Sequence, residues 1–251
     1  MYTCPTGVFL YTIQPYDTLW WIARRYHTNI DTIKSLNPEI NLNYLQIGQV
    51  IRICPNYYPQ SNHISSKIST NISKAQLNLS NYIRMLWEQH VTWTRLTIIS
   101  IIENLPDEEL VTNRLLRNPI DFKIALQPLY GDKIASRLAD LFKDHLIIAA
   151  QLVKAAKAGD NKAVTDVENR WYKNADEIAA FLGSINPYWS QKDWMDMLHE
   201  HLALTKSEAV NILTKNYKNG IAIYDDIEMQ ALKMADAMTE GIIKQFPDRF
   251  K

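Results

Sequence analysis

Three histidines and one glutamate of this sequence stand where their side chains could ligate a metal ion. His145 lies on an apolar stripe of helical spacing together with Leu141. His90 and His201 occupy similar stripes, and Glu228 flanks the stripe of the last predicted helix. Helical bundles build metal sites from inward-facing histidine and carboxylate side chains of neighbouring helices. The three histidines, with Glu228 or an adjacent Asp144 or Glu200, could therefore hold Zn or Fe with one open coordination position.

A hydrogen-bonded network is the alternative interpretation of these histidines, and we favour it. A buried imidazole needs a polar partner, and Asn174 or a tryptophan indole could supply one. The helices carry no Glu-x-x-His pair of the kind that di-iron bundles use. The segment at 199–203 also fails as a zinc-protease motif, because the position four residues after His199 is Ala203. We assign no catalytic residue and lean towards a protein that is not an enzyme.

Composition narrows the classes of partner. Lys and Arg total 27 and Asp and Glu total 27, so no overall field attracts nucleic acid or an anionic membrane. Seven unclustered glycines disfavour phosphate-binding loops. No apolar run approaches the roughly 18 residues of a membrane span. The N-terminal stretch lacks the charged and apolar regions of a signal peptide, so we expect synthesis in the cytosol.

The first 55 residues predict a small α+β unit. Apolar and β-branched residues at 8–14 and 49–53 predict two strands. Between them, Asp17 is placed to cap a first helix and Asn29 to cap a second, which ends before Pro38. Two strands in so short a unit must pair with each other to bury one face. The predicted order is therefore strand, helix, helix, strand.

This stretch resembles the LysM domain, a carbohydrate-binding module for polymers that contain N-acetylglucosamine, such as peptidoglycan and chitin. The residues that carry the resemblance are Tyr11, Ile13, Asp17, Thr18, Leu19, Trp20, Ile22, Ala23, Tyr26, Leu36, Asn37, Pro38, Leu45, Gly48, Gln49 and Ile51. The sequence departs from the family at Tyr16, where a glycine is usual. The resemblance implies a shallow sugar groove between two loops. In this sequence the groove residues would be Asp17, Thr18 and Leu19 on one side and Pro38, Glu39, Ile40 and Asn41 on the other.

Two cysteines, Cys4 and Cys54, bracket this unit. Antiparallel pairing brings the start of the first strand beside the end of the second, so a disulfide could join them. It would contribute about 4 kcal/mol by the chain-entropy model. Two reduced thiols in a cytosolic protein are the alternative.

A polar, Ser- and Asn-rich stretch at 56–73 predicts a linker. From residue 74 to 251 apolar stripes at helical spacing predict an all-α bundle. Its helices are predicted at 76–104, 107–117, 120–127, 132–157, 161–183, 191–203, 206–217 and 221–246. The segment from Thr205 to Glu208 has the pattern of a capping box, which places a helix start there.

One internal regularity appears in the helical part. The segment "DLFKDHL" at 140–146 matches "DMLHEHL" at 196–202 in residue type at six of seven positions. Trp87-x-x-His90 and Trp171-x-x-Asn174 form a second pair of similar segments. These matches predict an internal duplication with approximate twofold symmetry.

The helical part also resembles an uncharacterised domain of LysM-bearing proteins from endospore-forming bacteria. The likeness rests on the blocks "WEQHVTWTR", "RLLRNPIDF", "YGDKIASRLADLFKDHL" and "RWYKNADEIAAFL". Some relatives carry the label acetylglutamate kinase, but that fold needs a parallel sheet and glycine-rich loops, which this sequence lacks. The resemblance implies a spore-layer setting, which would also account for a LysM domain without a signal peptide.

Together these features predict a LysM domain at 1–55, a linker at 56–73 and a helical bundle at 74–251. We expect the first domain to bind peptidoglycan- or chitin-type glycan and to position the second at the cell wall or spore layers, where protein partners could join it. The alternative function is a metal-dependent enzyme, such as a wall-glycan hydrolase, with its site at the inward histidines.

Overall fold

A computed structural model of the chain describes residues 4, 7–14, 17, 19–26, 28–40, 45–55 and 72–251; the side chains of Trp20, Trp21 and Arg24 are outside this description. The chain divides into two compact units, at 1–70 and 71–251. Most of the predicted linker, at 56–71, lies outside the described residues. Within the described part, no helix combines the length and apolarity needed to cross a membrane.

The first unit is a two-stranded antiparallel sheet with two short helices. Its elements are β1 (Phe9–Thr12), α1 (Leu19–Arg25), α2 (Ile30–Leu36) and β2 (Val50–Ile53). In the ladder Phe9 lies opposite Ile53 and Tyr11 opposite Ile51. Because side chains alternate along a strand, Tyr11 is buried while Leu10 faces solvent. The predicted order of strand, helix, helix, strand is confirmed.

Two asparagines hold α2 in place. Asn29 caps its first turn, accepting a hydrogen bond from the Thr32 amide at 2.7 Å, as predicted. Asn37 follows its last residue and is buried. The Asn37 amide group donates to the carbonyls of Ile33 and Arg52, and its oxygen accepts from the Arg52 amide at 2.7 Å. Asn37 therefore joins the end of α2 directly to β2.

The second unit, called the helical domain below, is all α-helical, as predicted. Its elements are α3 (Lys74–Glu103), α4 (Glu108–Leu115), α5 (Asn118–Tyr130), α6 (Asp132–Ala158), α7 (Asn161–Ile185), α8 (Gln191–Leu213), α9 (Tyr217–Gln245) and a final 3₁₀ turn (Pro247–Phe250). Asn104 and Gly159 end α3 and α6 in left-handed conformations. Ser73 caps α3 and also donates to the Phe250 carbonyl at 2.7 Å, which ties the two ends of the domain together.

The predicted helix start at Thr205–Glu208 is wrong, because α8 runs without a break through this segment. Thr205 and Glu208 are both buried inside the domain. Glu208 forms an ion pair with Arg95 of α3 instead of turning back to cap a helix. A capping-box pattern specifies a helix start only where the preceding residues leave the helix, and here no proline or glycine makes them do so.

The long helices pack in a closed order. Successive neighbours are α3, α5, α6, α7, α8 and α9, and α9 packs back against α3. Helix α3 also contacts both α6 and α8. The core between the helices is aromatic and aliphatic, with Trp87, Trp194 and Phe122 among its most deeply buried side chains.

Candidate functional site

Asp17 organises the loop that follows β1. Its carboxylate accepts hydrogen bonds from the Tyr11 hydroxyl at 2.6 Å and the Gln14 amide at 2.7 Å. Burial and this bond to Asp17 raise the pKa of Tyr11 to about 12, so the phenol stays protonated and donates. Helix α1 begins at Leu19, two residues after Asp17, and the cap that the sequence assigns to Asp17 stays a prediction. Asp17 therefore shapes the loop from the strand side.

The loop after α2 carries the other side of the predicted groove. Pro38 and Glu39 are exposed, and Ile40 is half-buried against the core of the first unit. The Ile40 amide donates to the Asn37 carbonyl at 3.1 Å, which closes the turn. The Glu39 carboxylate is paired with the Arg52 guanidinium. Its own backbone amide and then Arg52 lower the pKa of Glu39, so it is ionised at neutral pH.

Of the seven predicted groove residues, Thr18 and Asn41 lie outside the described residues. Leu19 and Ile40 both pack, half-buried, against the same apolar core, which places the two loops on one folded unit. Sugar rings bind where apolar surface lies beside hydrogen-bonding groups. Exposed Pro38, half-buried Ile40 and the Glu39 carboxylate supply both kinds of group, and the groove itself stays a prediction.

Cys4 and Cys54 are joined by a disulfide, with their Cα atoms 5.7 Å apart. Cys54 directly follows β2 and is buried. The bond closes the open ends of the two-stranded sheet across a separation of 50 residues.

In the helical domain the three predicted histidines are all buried, and each bonds to an amide side chain. Nδ1 of His90 lies 3.3 Å from Oδ1 of Asn118, and Nδ1 of His145 lies 2.8 Å from Oδ1 of Asn174. Nδ1 of His201 lies 3.2 Å from Oε1 of Gln230. An amide oxygen can only accept, so each Nδ1 carries a proton and each Nε2 carries a lone pair.

The same amide groups complete a threefold pattern. Each donates its N–H to the backbone carbonyl one helical turn before its histidine, at Leu86, Leu141 and Met197. The partners lie 28, 29 and 29 residues after their histidines, always on another helix. The structural pairs are α3 with α5, α6 with α7, and α8 with α9. The domain therefore contains three equivalent helix pairs, and the predicted twofold duplication is wrong.

The internal matches within the sequence identified only part of this threefold repeat. The matching segments at 140–146 and 196–202 do occupy equivalent places, around His145 and His201. Trp171-x-x-Asn174, however, lies on the second helix of its pair, whereas Trp87-x-x-His90 lies on the first. Asn118 and Gln230 were missed as partners. The signal that could have found them is the near-constant spacing of 28 or 29 residues from each histidine to an Asn or Gln on a later helix.

Burial makes all three imidazoles neutral. Loss of solvation lowers the pKa of His90 to about 4 and, with repulsion from His90, the pKa of His145 to about 3. Desolvation, then the other two histidines, hold the pKa of His201 well below its usual value. The His90 and His201 rings are 5.4 Å apart between centroids, so these residues form one polar cluster.

The predicted metal site gains no support from this arrangement. Among the described residues, no group of three or more His, Cys, Asp or Glu side chains is arranged to hold a metal ion. Glu228 is half-buried and lies near Glu88. Burial, and then repulsion from Glu228, raise the pKa of Glu88. The histidines are instead hydrogen-bonded to amides, as in the alternative interpretation of the sequence.

Comparison with known proteins covers the first unit. A family model of the LysM domain matches residues 11–53. The secreted LysM effector Blys4 of Beauveria bassiana (strain ARSEF 2860) is 44% identical over 48 residues, which are 19% of this chain and 28% of that protein. The chain thus matches less than a third of this relative's length. No solved structure matches the chain. The chain therefore carries an N-terminal LysM domain, followed by a mostly helical domain.

Proposed function

We propose that the LysM domain binds glycan containing N-acetylglucosamine, of the peptidoglycan or chitin type, and positions the helical domain at the cell wall or spore layers. The observation that carries the proposal is the match of residues 11–53 to the LysM family. The relative from Beauveria bassiana is named a secreted LysM effector, which supports a setting outside the cytoplasm.

The local structure supports a rigid sugar site at the two loops. Asp17 is held by the Tyr11 hydroxyl and the Gln14 amide, and the turn before Ile40 is held by buried Asn37. A site whose backbone is fixed before binding loses little conformational freedom when the ligand arrives. Half-buried Ile40 offers apolar surface for an acetamido methyl group, with polar groups of the loops beside it.

The disulfide supports an oxidising location for the mature domain. Disulfides persist in secreted and surface proteins and are rare where thiols are kept reduced. The Cys4–Cys54 bond therefore fits a protein that functions at a wall or spore layer. Protein partners in such a layer are part of the proposal for the helical domain.

A metal-dependent enzyme, the alternative from sequence, has no observation in its favour. The His90, His145 and His201 side chains each bond to an amide group. Among the described residues, no carboxylate joins them in a group that could hold a metal ion. We therefore propose no reaction for the helical domain.

Sedimentation with insoluble chitin and peptidoglycan tests the glycan proposal. Glu39→Ala and Arg52→Ala each remove the same exposed ion pair, and exposed pairs contribute little to stability. We expect Glu39→Ala to lower the bound fraction and Arg52→Ala to leave it close to that of the unmodified protein, since only Glu39 belongs to the predicted groove. Leu10→Ala, on the exposed face of β1, is a second control. Equal binding by all four proteins would place the sugar elsewhere, and absent binding by the unmodified protein would refute the function.

A further inference from the structure

The helical domain contains an apolar cavity of about 100 Å³ toward the C-terminal ends of α3, α6 and α8. Helix α3 contacts both α6 and α8, and the cavity lies in the space between these three helices. Alanines leave much of this space open: Ala149 and Ala209 face it where larger side chains could have filled it. The cavity lies far along the chain from the LysM loops and belongs to a different domain.

The cavity continues the threefold pattern of the histidine cluster. Equivalent positions of the three helix pairs line it, first one turn and then about two turns beyond each histidine. They are Thr94, Ala149 and Thr205, followed by Ile98, Val153 and Ala209. The cavity therefore lies along the same internal axis as the buried imidazoles, at the level of the next turns.

Three polar atoms on the lining residues have no partner. The hydroxyls of Thr97 and Thr205 and the indole N–H of Trp171 are buried and make no hydrogen bond among the described residues. Thr94 shows that a threonine on this surface can satisfy itself locally, because its hydroxyl donates to the His90 carbonyl at 2.7 Å. Each of these atoms has almost no surface open to the cavity, so a rotation of its side chain must turn it toward a ligand. Unpaired buried polar groups are costly, and a ligand that pairs with them would remove that cost.

Charge limits what the cavity can hold. Its described lining contains one charged residue, Lys206, whose ammonium is 2.5 Å from the Glu168 carboxylate. Lys206 and Val210 are the more exposed residues of the lining and mark its approach to solvent. An ionised ligand would move from water into a cavity that offers it no opposite charge. That transfer costs far more free energy than the transfer of a neutral ligand.

We propose that this cavity binds a small uncharged molecule with an apolar body and one hydroxyl or carbonyl group, recognised by Thr97, Thr205 and Trp171. An engineered protein cavity of about 150 Å³ accommodates benzene, so a single ring is the upper size limit for this smaller cavity. The hydroxyls can donate or accept, and the indole can only donate.

Two fluorinated probes that differ by one hydroxyl group test the proposal by ¹⁹F NMR on the full chain. 4-Fluorophenol carries the required hydroxyl, and fluorobenzene lacks it. We expect saturable binding of both, with 4-fluorophenol the tighter. Thr205→Val removes one unpaired hydroxyl while keeping the side-chain shape, and it should weaken 4-fluorophenol about three- to tenfold without changing fluorobenzene.

Thr239→Val is the matched control, because Thr239 is also buried with an unpaired hydroxyl but does not line the cavity. It should change the affinity of neither probe. Ala209→Leu fills the cavity and should abolish binding of both; if that variant does not fold, Thr205→Val still decides the question. No saturable binding, equal binding of the two probes, or the same effect from Thr205→Val and Thr239→Val would overturn the proposal.

Discussion

The helical domain should lose stability steeply in mild acid, because it buries three neutral histidines. In the unfolded chain each imidazole takes up a proton below its ordinary pKa of 6.5. In the folded domain burial lowers the pKa of His90 to about 4 and of His145 to about 3, and that of His201 lies well below 6.5. Between these limits the unfolded state binds more protons, so the free energy of unfolding falls as pH falls.

The size of this loss depends little on how low the folded pKa values are. At pH 5 proton uptake stabilises the unfolded chain by about 2 kcal/mol for each histidine that stays neutral when folded, or by about 6 kcal/mol for three. Domains are stable by only about 5–15 kcal/mol, so the loss is a large fraction of the total. Glu208 acts in the opposite sense, since burial raises its pKa to about 7 and its folded carboxyl takes up a proton first.

A comparison of variants cancels Glu208 and every other shared group. We would measure urea unfolding of the full chain by far-ultraviolet circular dichroism at pH 7.5 and pH 5. The unmodified protein should lose about 2 kcal/mol more between these pH values than His145→Gln does, because the variant lacks one buried imidazole. His199→Gln is the control for the substitution itself, because His199 is partly exposed and lies outside the buried histidine cluster. Equal losses for His145→Gln and the unmodified protein would refute the reasoning.

Three further predictions follow from the packing. Reduction of the Cys4–Cys54 bond should destabilise the LysM domain by about 4 kcal/mol and lower its binding to chitin. Urea unfolding with and without reductant measures the stability change, and an unchanged midpoint would contradict a structural role for the bond. Gly241→Ala should cost about 1–3 kcal/mol or more in thermal unfolding, because its new Cβ would lie 2.0 Å from Nε1 of Trp189, whereas Gly220→Ala meets nothing closer than 3.6 Å and should cost less. Metal analysis of the purified protein should find less than one equivalent, unchanged by His90→Ala; stoichiometric metal lost in that variant would restore the metal hypothesis.

Local signals in the sequence predicted the LysM domain well. Alternation placed the two strands, and Asn29 capped α2 as its residue type indicates. Asp17 lies beside the start of α1 as the sequence indicates, and its carboxylate also accepts a hydrogen bond from Tyr11 on the strand, a partner that the sequence did not predict. A carboxylate next to a helix start resembles a cap in sequence, and only the path of the chain decides which donor reaches it.

In the helical domain the sequence by itself determined which residues are buried, because an apolar stripe at helical spacing faces the core whatever the helix packs against. It therefore identified His90, His145 and His201 as inward-facing. The tertiary structure decided what those histidines do. Their partners lie 28 or 29 residues away on other helices, and the resulting burial keeps the rings neutral. The tertiary structure also pairs Glu208 of the continuous helix α8 with Arg95, a contact between residues 113 positions apart that local sequence patterns do not encode.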